Sequence, residues 1–272
     1  MIKIIAIGDI MGKAGRRSLA NALPALRARF NPDILIVNGE NAAGGFGITK
    51  KIFKQFTDNY EIDCVTTGNH WHDKREINDL IPSEDRLVIP ANMMNVESIH
   101  HGFKILRSKS GVSYAVINLI GNAFMHPENR NPFHCVEEIY QHIPPHIKIR
   151  IVDMHAEATS EKQGMGRFLS GRASLVYGTH SHVPTADDRI LDDYTAYTTD
   201  IGMTGPYDSV IGIRKESALT RMTTGERKKF EPASKDLWLP FIEVDVDPET
   251  GSSKAISRHR WELDKMDLST IN

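Results

Sequence analysis

Metal-ligand side chains recur in this chain at the ends of apolar runs. Gly8-Asp9 follows Ile4-Ile5-Ala6-Ile7, and Gly39-Glu40-Asn41 follows Ile34-Leu35-Ile36-Val37. Gly68-Asn69-His70 follows Cys64-Val65-Thr66-Thr67. Asp153-Met154-His155 closes Ile149-Arg150-Ile151-Val152, and His180-Ser181-His182 comes shortly after Leu175-Val176-Tyr177. Asp9 and Glu40 offer anionic oxygen, Asn41 and Asn69 neutral oxygen, and His155, His180 and His182 imidazole nitrogen. Such a mixed set without thiolate suits manganese, iron or zinc better than calcium or copper(I). Two divalent ions balanced by two carboxylates and a bridging hydroxide keep a net charge of about +1, which attracts a phosphoester anion. The pattern predicts a two-metal hydrolase. If Asn69 binds metal, His70 stands beside the substrate, where an imidazole can protonate a leaving alkoxide. With residues 180–182 extended, both histidine rings would leave one face of the segment and reach neighbouring ions.

Elements that would carry these residues follow from periodicity. Apolar runs predict strands over 2–8, 33–38 and 63–67. Between them, Leu19, Ala22, Leu23 and Leu26 give 15–29 a helical face, with Pro24 expected to kink or break it. Thr49 is placed to cap a helix over 50–59. This β-α-β-α-β order implies parallel strands, whose carboxyl ends are where open α/β sheets place their ligands. Residues 103–107 and 112–120 read as a hairpin through 109–111, and 133–142 as a helix. Strand, helix and strand resume at 148–153, 160–169 and 173–177, and the end is β-rich at 194–199 and 237–246. The charged, weakly periodic segment 214–235 is expected to be a mobile loop, or an arm exchanged between subunits of a homo-oligomer. Residues 1–272 are expected to form a single domain.

The formal charge is 33 minus 35, or −2, so polyanion binding would have to be local, for instance at 214–229. Cys64 and Cys135 lack metal-ligand spacing and form no disulfide framework, which fits a reducing compartment. The opening apolar run is too short for a secretory leader, and no stretch reaches the ~18–20 apolar residues of a membrane span. A cytoplasmic location is therefore the default expectation.

The most specific stretches are Gly8-Asp9-Ile10-Met11-Gly12, Gly39-Glu40-Asn41-Ala42-Ala43-Gly44-Gly45, Gly68-Asn69-His70, His155 to Lys162, Gly178 to Asp187 and Thr199 to Pro206. Through them the chain resembles the calcineurin-like metallophosphoesterases, and within these the YmdB-like family. The resemblance implies a four-layer α/β/β/α sandwich of two mixed sheets. It also implies a phosphodiesterase acting on cyclic nucleotides, 2′,3′-cyclic and 3′,5′-cyclic, or related small phosphodiesters. By the family's pattern Asp9, Glu40, Asn41 and His182 hold one metal, and Glu40, Asn69, His155 and His180 the other. The resemblance also implies His70 as the proton donor and iron or manganese as the metals. Met11 stands where the wider superfamily has histidine, and Trp71 where an acid usually follows Gly-Asn-His. Asp73 or Glu157 would then have to orient His70, and His72 reads as a surface residue. RNA is an alternative substrate for the same chemistry, and a metal-binding regulatory protein is an alternative of another class.

Overall fold

The computed structural model describes residues 1–94, 96, 98–125, 129–226 and 229–266. In chain order its elements are β1 (Ile2–Ile7), α1 (Gly12–Phe30), β2 (Ile34–Asn38), α2 (Lys50–Lys54), β3 (Cys64–Thr66) and β4 (Leu87–Val88). Next come β5 (Phe103–Arg107), β6 (Ser113–Ile120), α3 (Pro132–His142), β7 (Ile149–His155), α4 (Thr159–Phe168) and β8 (Leu175–Thr179). The chain ends with β9 (Arg189–Leu191), β10 (Thr195–Thr198), β11 (Gly205–Pro206), α5 (Lys215–Thr224), β12 (Leu237–Val246) and β13 (Ser253–Glu262). Among the described residues no helix is long and apolar enough to cross a membrane.

Two mixed sheets result. In the first, β1, β2, β3 and β4 run parallel in that order, and β12 joins β1 antiparallel. β11 and β13 also pair with β12. In the second sheet β6, β7, β8 and β10 are parallel, with β5 and β9 as antiparallel edges. The buried apolar side chains fall into three clusters, and these define the layers. One holds Ile4, Ala6, Ile34 and Ile36 of the first sheet against Val116, Ile149, Ile151 and Leu175 of the second. Another packs Leu19, Leu23, Leu26 and Phe53 on the outer face of the first sheet. The third packs Val136, Ile139 and Met165 on the outer face of the second. Three apolar interfaces between helices, sheet, sheet and helices make the expected α/β/β/α sandwich.

Local chemistry sets the element ends. Thr49 Oγ1 accepts from the Ile52 amide, and Asn131 Oδ1 accepts from the amides of Phe133 and His134 with Pro132 opening the helix. Asn31 ends α1 in the left-handed conformation, its amide donating to the Arg27 carbonyl.

Several local expectations are corrected. Of the kink or break expected at Pro24, the break is absent: helix α1 is continuous from Gly12 to Phe30. An interior proline costs ~3 kcal/mol, which the burial of Leu19, Leu23 and Leu26 at ~1.5–3 kcal/mol each outweighs. The 50–59 helix instead divides into α2 and a wider π turn over Gln55–Asn59. Segment 214–235 carries α5, anchored by buried Ala218. Strand β13 has no counterpart among the expected elements. It is a charged edge whose side chains mostly face solvent, so it shows no apolar alternation.

Candidate metal centre

The carboxyl ends of β1, β2, β3, β7 and β8 lie along one rim of the sandwich and bring all the proposed ligands together. Asp9, Glu40, Asn41 and Asn69 come from loops of the first sheet, and His155, His180 and His182 from the second. His155 Nε2 lies 3.2 Å from Glu40 Oε2, 3.0 Å from Asn69 Oδ1 and 3.1 Å from His180 Nδ1. His182 Nε2 lies 3.2 Å from Asn41 Oδ1. Ligand atoms of Glu40, His155 and His180 fall within 4.8 Å of one another, and so do those of Asp9, Glu40 and His182. Glu40 belongs to both groups.

The outer nitrogens of the histidines fix which lone pairs face inward. His182 Nδ1 is 2.9 Å from the Ile211 carbonyl, which can only accept. His180 Nε2 is 3.2 Å from a Glu157 carboxylate oxygen. His155 Nδ1 is 2.9 Å from Thr179 Oγ1, whose own proton goes to Asp153 Oδ1 at 2.6 Å. Each outer nitrogen therefore donates, which leaves His155 Nε2, His180 Nδ1 and His182 Nε2 as inward-facing lone pairs. Outer partners of this kind are the ones that orient metal-binding histidines.

Lone pairs and carboxylates packed this closely repel unless positive charge lies among them. Asp9 is fully buried, and its Oδ1 has no hydrogen-bond partner among the described residues. Burial pushes the Asp9 carboxyl up to about 6. Burial also opposes the charge on Glu40 and on His155. Their mutual attraction outweighs it, taking Glu40 down to about 2 and His155 up to about 9. Burial, then the charge of His155, push His180 down to about 3. The protein groups alone thus draw a proton into the cluster. Gly68 keeps the space open, since a Cβ there would collide with the side chains of Glu40 and His155. Donor types, orphaned oxygen and open cradle all fit divalent cations.

The segment carrying His180 and His182 does not meet the extended condition under which both rings would leave one face. β8 ends at Thr179, and φ is +94° at His180 and +65° at His182. Left-handed backbone at non-glycine residues costs energy and persists only when its surroundings hold it. Asp200 is the holder. Its Oδ2 accepts from the Ser181 amide at 3.3 Å and from Ser181 Oγ at 2.8 Å, and its Oδ1 accepts from the Gly202 amide at 2.7 Å. Lys162, 2% exposed, pairs with Oδ2 at 2.6 Å. The neighbouring Met203–Pro206 loop shapes the site through its backbone: Thr204 N donates to the Asp9 carbonyl, and Met203 N to that of His182.

His70 lies at the mouth of the cluster. Its amide is 3.3 Å from Glu40 Oε2, and its Nδ1 donates to Asp73 Oδ2 at 2.9 Å. Asp73 orients His70, whereas Glu157 serves His180. Phe46 meets the His70 ring edge-on, with centroids 5.0 Å apart. Trp71, in the place of the usual acid, is buried and donates Nε1 to Met93 Sδ. His72 is exposed beside Trp71 and lines a separate cleft. His126, which follows Gly121-Asn122-Ala123-Phe124-Met125 in the sequence, lies outside the described residues. His259 pairs with Glu243, and Arg172 with Glu137, both away from the cluster.

A cavity of about 640 Å³ opens on the cluster. Its lining includes Glu40, Asn41, His70, His180 and His182, and also α5 and the chain around it. The basic groove considered for 214–229 is partly neutralised. Arg214 pairs with Glu231 and Lys215 with Asp208, while Arg227 and Lys228 lie outside the described residues.

The sequence motifs contained Asp153, Lys162 and Asp200 without giving them tasks. A carboxylate beside an apolar run reads equally as a ligand or a turn residue, and only the three-dimensional hydrogen bonds separate the two.

Residues 5–259 match a family model described as YmdB-like protein. A 2′,3′-cyclic-nucleotide 2′-phosphodiesterase of Bacillus subtilis (strain 168) is 39% identical over 257 residues, covering 94% of this chain and 96% of that protein. A putative phosphatase/phosphodiesterase of Mycoplasma pneumoniae is 35% identical over 252 residues, covering 90% of this chain and 88% of that protein. Among solved structures, a hypothetical protein from Thermus thermophilus superposes with a TM-score of 0.87 at 36% identity, covering 96% of this chain and 99% of that one. A novel phosphatase from Mycoplasma pneumoniae superposes with a TM-score of 0.88 at 32% identity, covering 100% of this chain and 99% of that one.

Proposed function

The chain belongs to the YmdB-like protein family, and from that premise we propose that it is a metal-dependent phosphodiesterase that opens 2′,3′-cyclic nucleotides and related small phosphodiesters. One observation carries the metal dependence: three imidazole lone pairs and two buried carboxylates converge, with every outer imidazole nitrogen committed as a donor. Asp9, Glu40, Asn41 and His182 would hold one cation, and Glu40, Asn69, His155 and His180 the other. The mixed nitrogen and oxygen set favours iron or manganese. Two such cations, when bound, supply positive charge for the phosphoryl oxygens and lower the pKa of water from ~15.7 towards ~7.

The remaining work falls to the chain. Water adds to phosphorus, one P–O bond of the cyclic diester breaks, and the departing alkoxide takes a proton from His70. The Asp73 carboxylate holds that ring by Nδ1 and leaves the other nitrogen for the transfer. Residues 1–272 act as one catalytic domain in this scheme. The decisive experiment is hydrolysis of 2′,3′-cAMP by the manganese-loaded protein and by His70→Ala and Asp9→Asn, with metal counted by elemental analysis. His70→Ala is expected to keep its metal and lose ~100-fold or more in kcat. Asp9→Asn is expected to lose metal as well. Wild-type rates in both variants would overturn the assignment.

A further inference from the structure

The cavity over the cluster has two unlike walls. Hydrolysis occupies the wall formed by Glu40, Asn41, His70 and the histidines after β8. The rest of the lining is largely apolar and contains Ile213, Ala218, Met222 and Phe230 from the segment between β11 and β12, together with Phe46 beside His70. It offers no group for the reaction itself. Arg221 is the cation on that wall, with its guanidinium 4.7 Å from the centroid of the Phe230 ring.

Size and exposure indicate what the wall receives. A cavity of about 640 Å³ lies within the ~300–1,000 Å³ of sites that enclose whole organic ligands, well beyond a cyclic phosphate alone. Met222 lines it and is nonetheless 71% exposed. A flexible thioether left in water beside a phosphodiester site can adapt to a flat ring laid against it. An aromatic face and a stacked guanidinium bind the π-face of any base without reading its edge.

We infer that this wall is a base subsite: the nucleobase of the cyclic nucleotide stacks between Phe230, Met222 and Phe46, while its phosphate reaches the cluster, a placement that rests on the phosphodiesterase reading above. Recognition is by ring area. Purine 2′,3′-cyclic nucleotides are therefore bound more tightly than pyrimidine ones, with weak discrimination between adenine and guanine.

The test compares two five-membered cyclic diesters, 2′,3′-cAMP and ethylene phosphate, which has no base. For Phe230→Ala and Met222→Ala, the ratio of kcat/KM on 2′,3′-cAMP to that on ethylene phosphate is expected to fall about ten-fold, the order of one lost stacking contact. The fall should appear in KM rather than kcat. Phe230→Tyr, which keeps the ring, should hold the ratio within about two-fold of wild type. Because each variant is measured against its own base-free activity, loss of folded protein does not move the ratio. An unchanged ratio in both alanine variants, with wild type active on both diesters, overturns the subsite and leaves the phosphodiesterase reading standing. A wild-type protein that turns over neither diester removes both.

Discussion

Asp200→Asn should weaken metal binding through a residue that is not among the proposed ligands. Lys162 and Asp200 are 2% and 1% exposed, so the substitution leaves a buried ammonium without its counter-charge. Breaking one side of a buried pair costs ~3–5 kcal/mol. The change also reaches the backbone. Oδ2 accepts both the Ser181 amide and its hydroxyl, and Oδ1 accepts the Gly202 amide. An asparagine can present its one oxygen either to Ser181 or to Gly202, and its NH₂ then faces the N–H or O–H donors on the other side. Ser181 lies between His180 and His182, whose left-handed conformations cost ~1–3 kcal/mol each. Freed of the tether, the segment relaxes and the two imidazoles leave their places. A roughly 10- to 100-fold loss of Mn²⁺ affinity is expected, as for other outer-partner substitutions. Competition against a chromophoric chelator measures the affinity, and urea unfolding of the metal-free protein measures the stability. The double variant Lys162→Met, Asp200→Asn separates the two effects. With no lone buried charge it should regain much of the stability, yet its affinity should stay low because either Ser181 or Gly202 still faces an NH₂ in place of an acceptor. Wild-type affinity in the double variant, or in Asp200→Asn alone, would refute the tether.

Gly68→Ala places a methyl group against Glu40 and His155; overpacking costs ~1–3 kcal/mol, and elemental analysis should find the metal content of the purified protein reduced, whereas full occupancy would show that the cradle has room to spare. Asp73→Asn weakens the hold on His70 Nδ1 without touching the ligand cluster, so kcat should fall by roughly ten-fold with metal content unchanged; equal loss of metal would move Asp73 to a structural role. Partial burial works against the Asp187 charge, but hydrogen bonds from Thr199 and Thr185 outweigh it and hold the carboxyl below its ordinary value. A lowered folded-state pKa gives stability that is present above the unfolded pKa of ~3.9 and is lost as pH falls through the folded value. The stability difference between wild type and Asp187→Asn should accordingly be flat from about pH 5 to 8 and shrink below about pH 4 in denaturant titrations; a difference that grows towards acid would contradict the sign.

How legible each feature was depended on the range of the interactions behind it. The parallel strands were visible because strands buried on both faces must be continuously apolar, as Ile4 to Ile7 and Ile34 to Val37 are. The ligand patches were visible because polar residues repeatedly follow such runs. Three kinds of feature were not. Edge strand β13 shows Lys254, Arg258 and Arg260 to solvent and carries too little apolar signal. Helix α5 has only Ala218 buried, so amphipathic periodicity could not announce it. The backbone turn at His180 and His182 depends on Asp200, which is remote in sequence from Lys162 and lies on another loop from Ser181. Spacing alone therefore left the conformation of residues 180–182 open.

The ligands also divide by sheet. Both carboxylates and both amides come from loops of the first sheet, and all three imidazoles come from the second. The cluster therefore sits on the seam where the sheets meet, above the apolar interface of Ile4, Ile36, Ile151 and Tyr177. Within the protein, the opposite charges of Glu40 and His155 make an electrostatic link across that seam at the rim, with 3.2 Å between them. Cations held by both sets would extend the link to every strand end that contributes a ligand. Binding energy delivered only in the folded state adds directly to stability, and here it would act on the packing of one sheet against the other. The arrangement also explains why the strained His180–His182 segment is tethered within its own sheet: Lys162, Ser181 and Asp200 all belong to the β7-to-β10 half. His155 and His180 are oriented from the second sheet's half by Thr179 and Glu157, while His182 is held by the Ile211 carbonyl from between β11 and β12, and imidazoles fixed in this way are the preorganisation a shared metal centre requires.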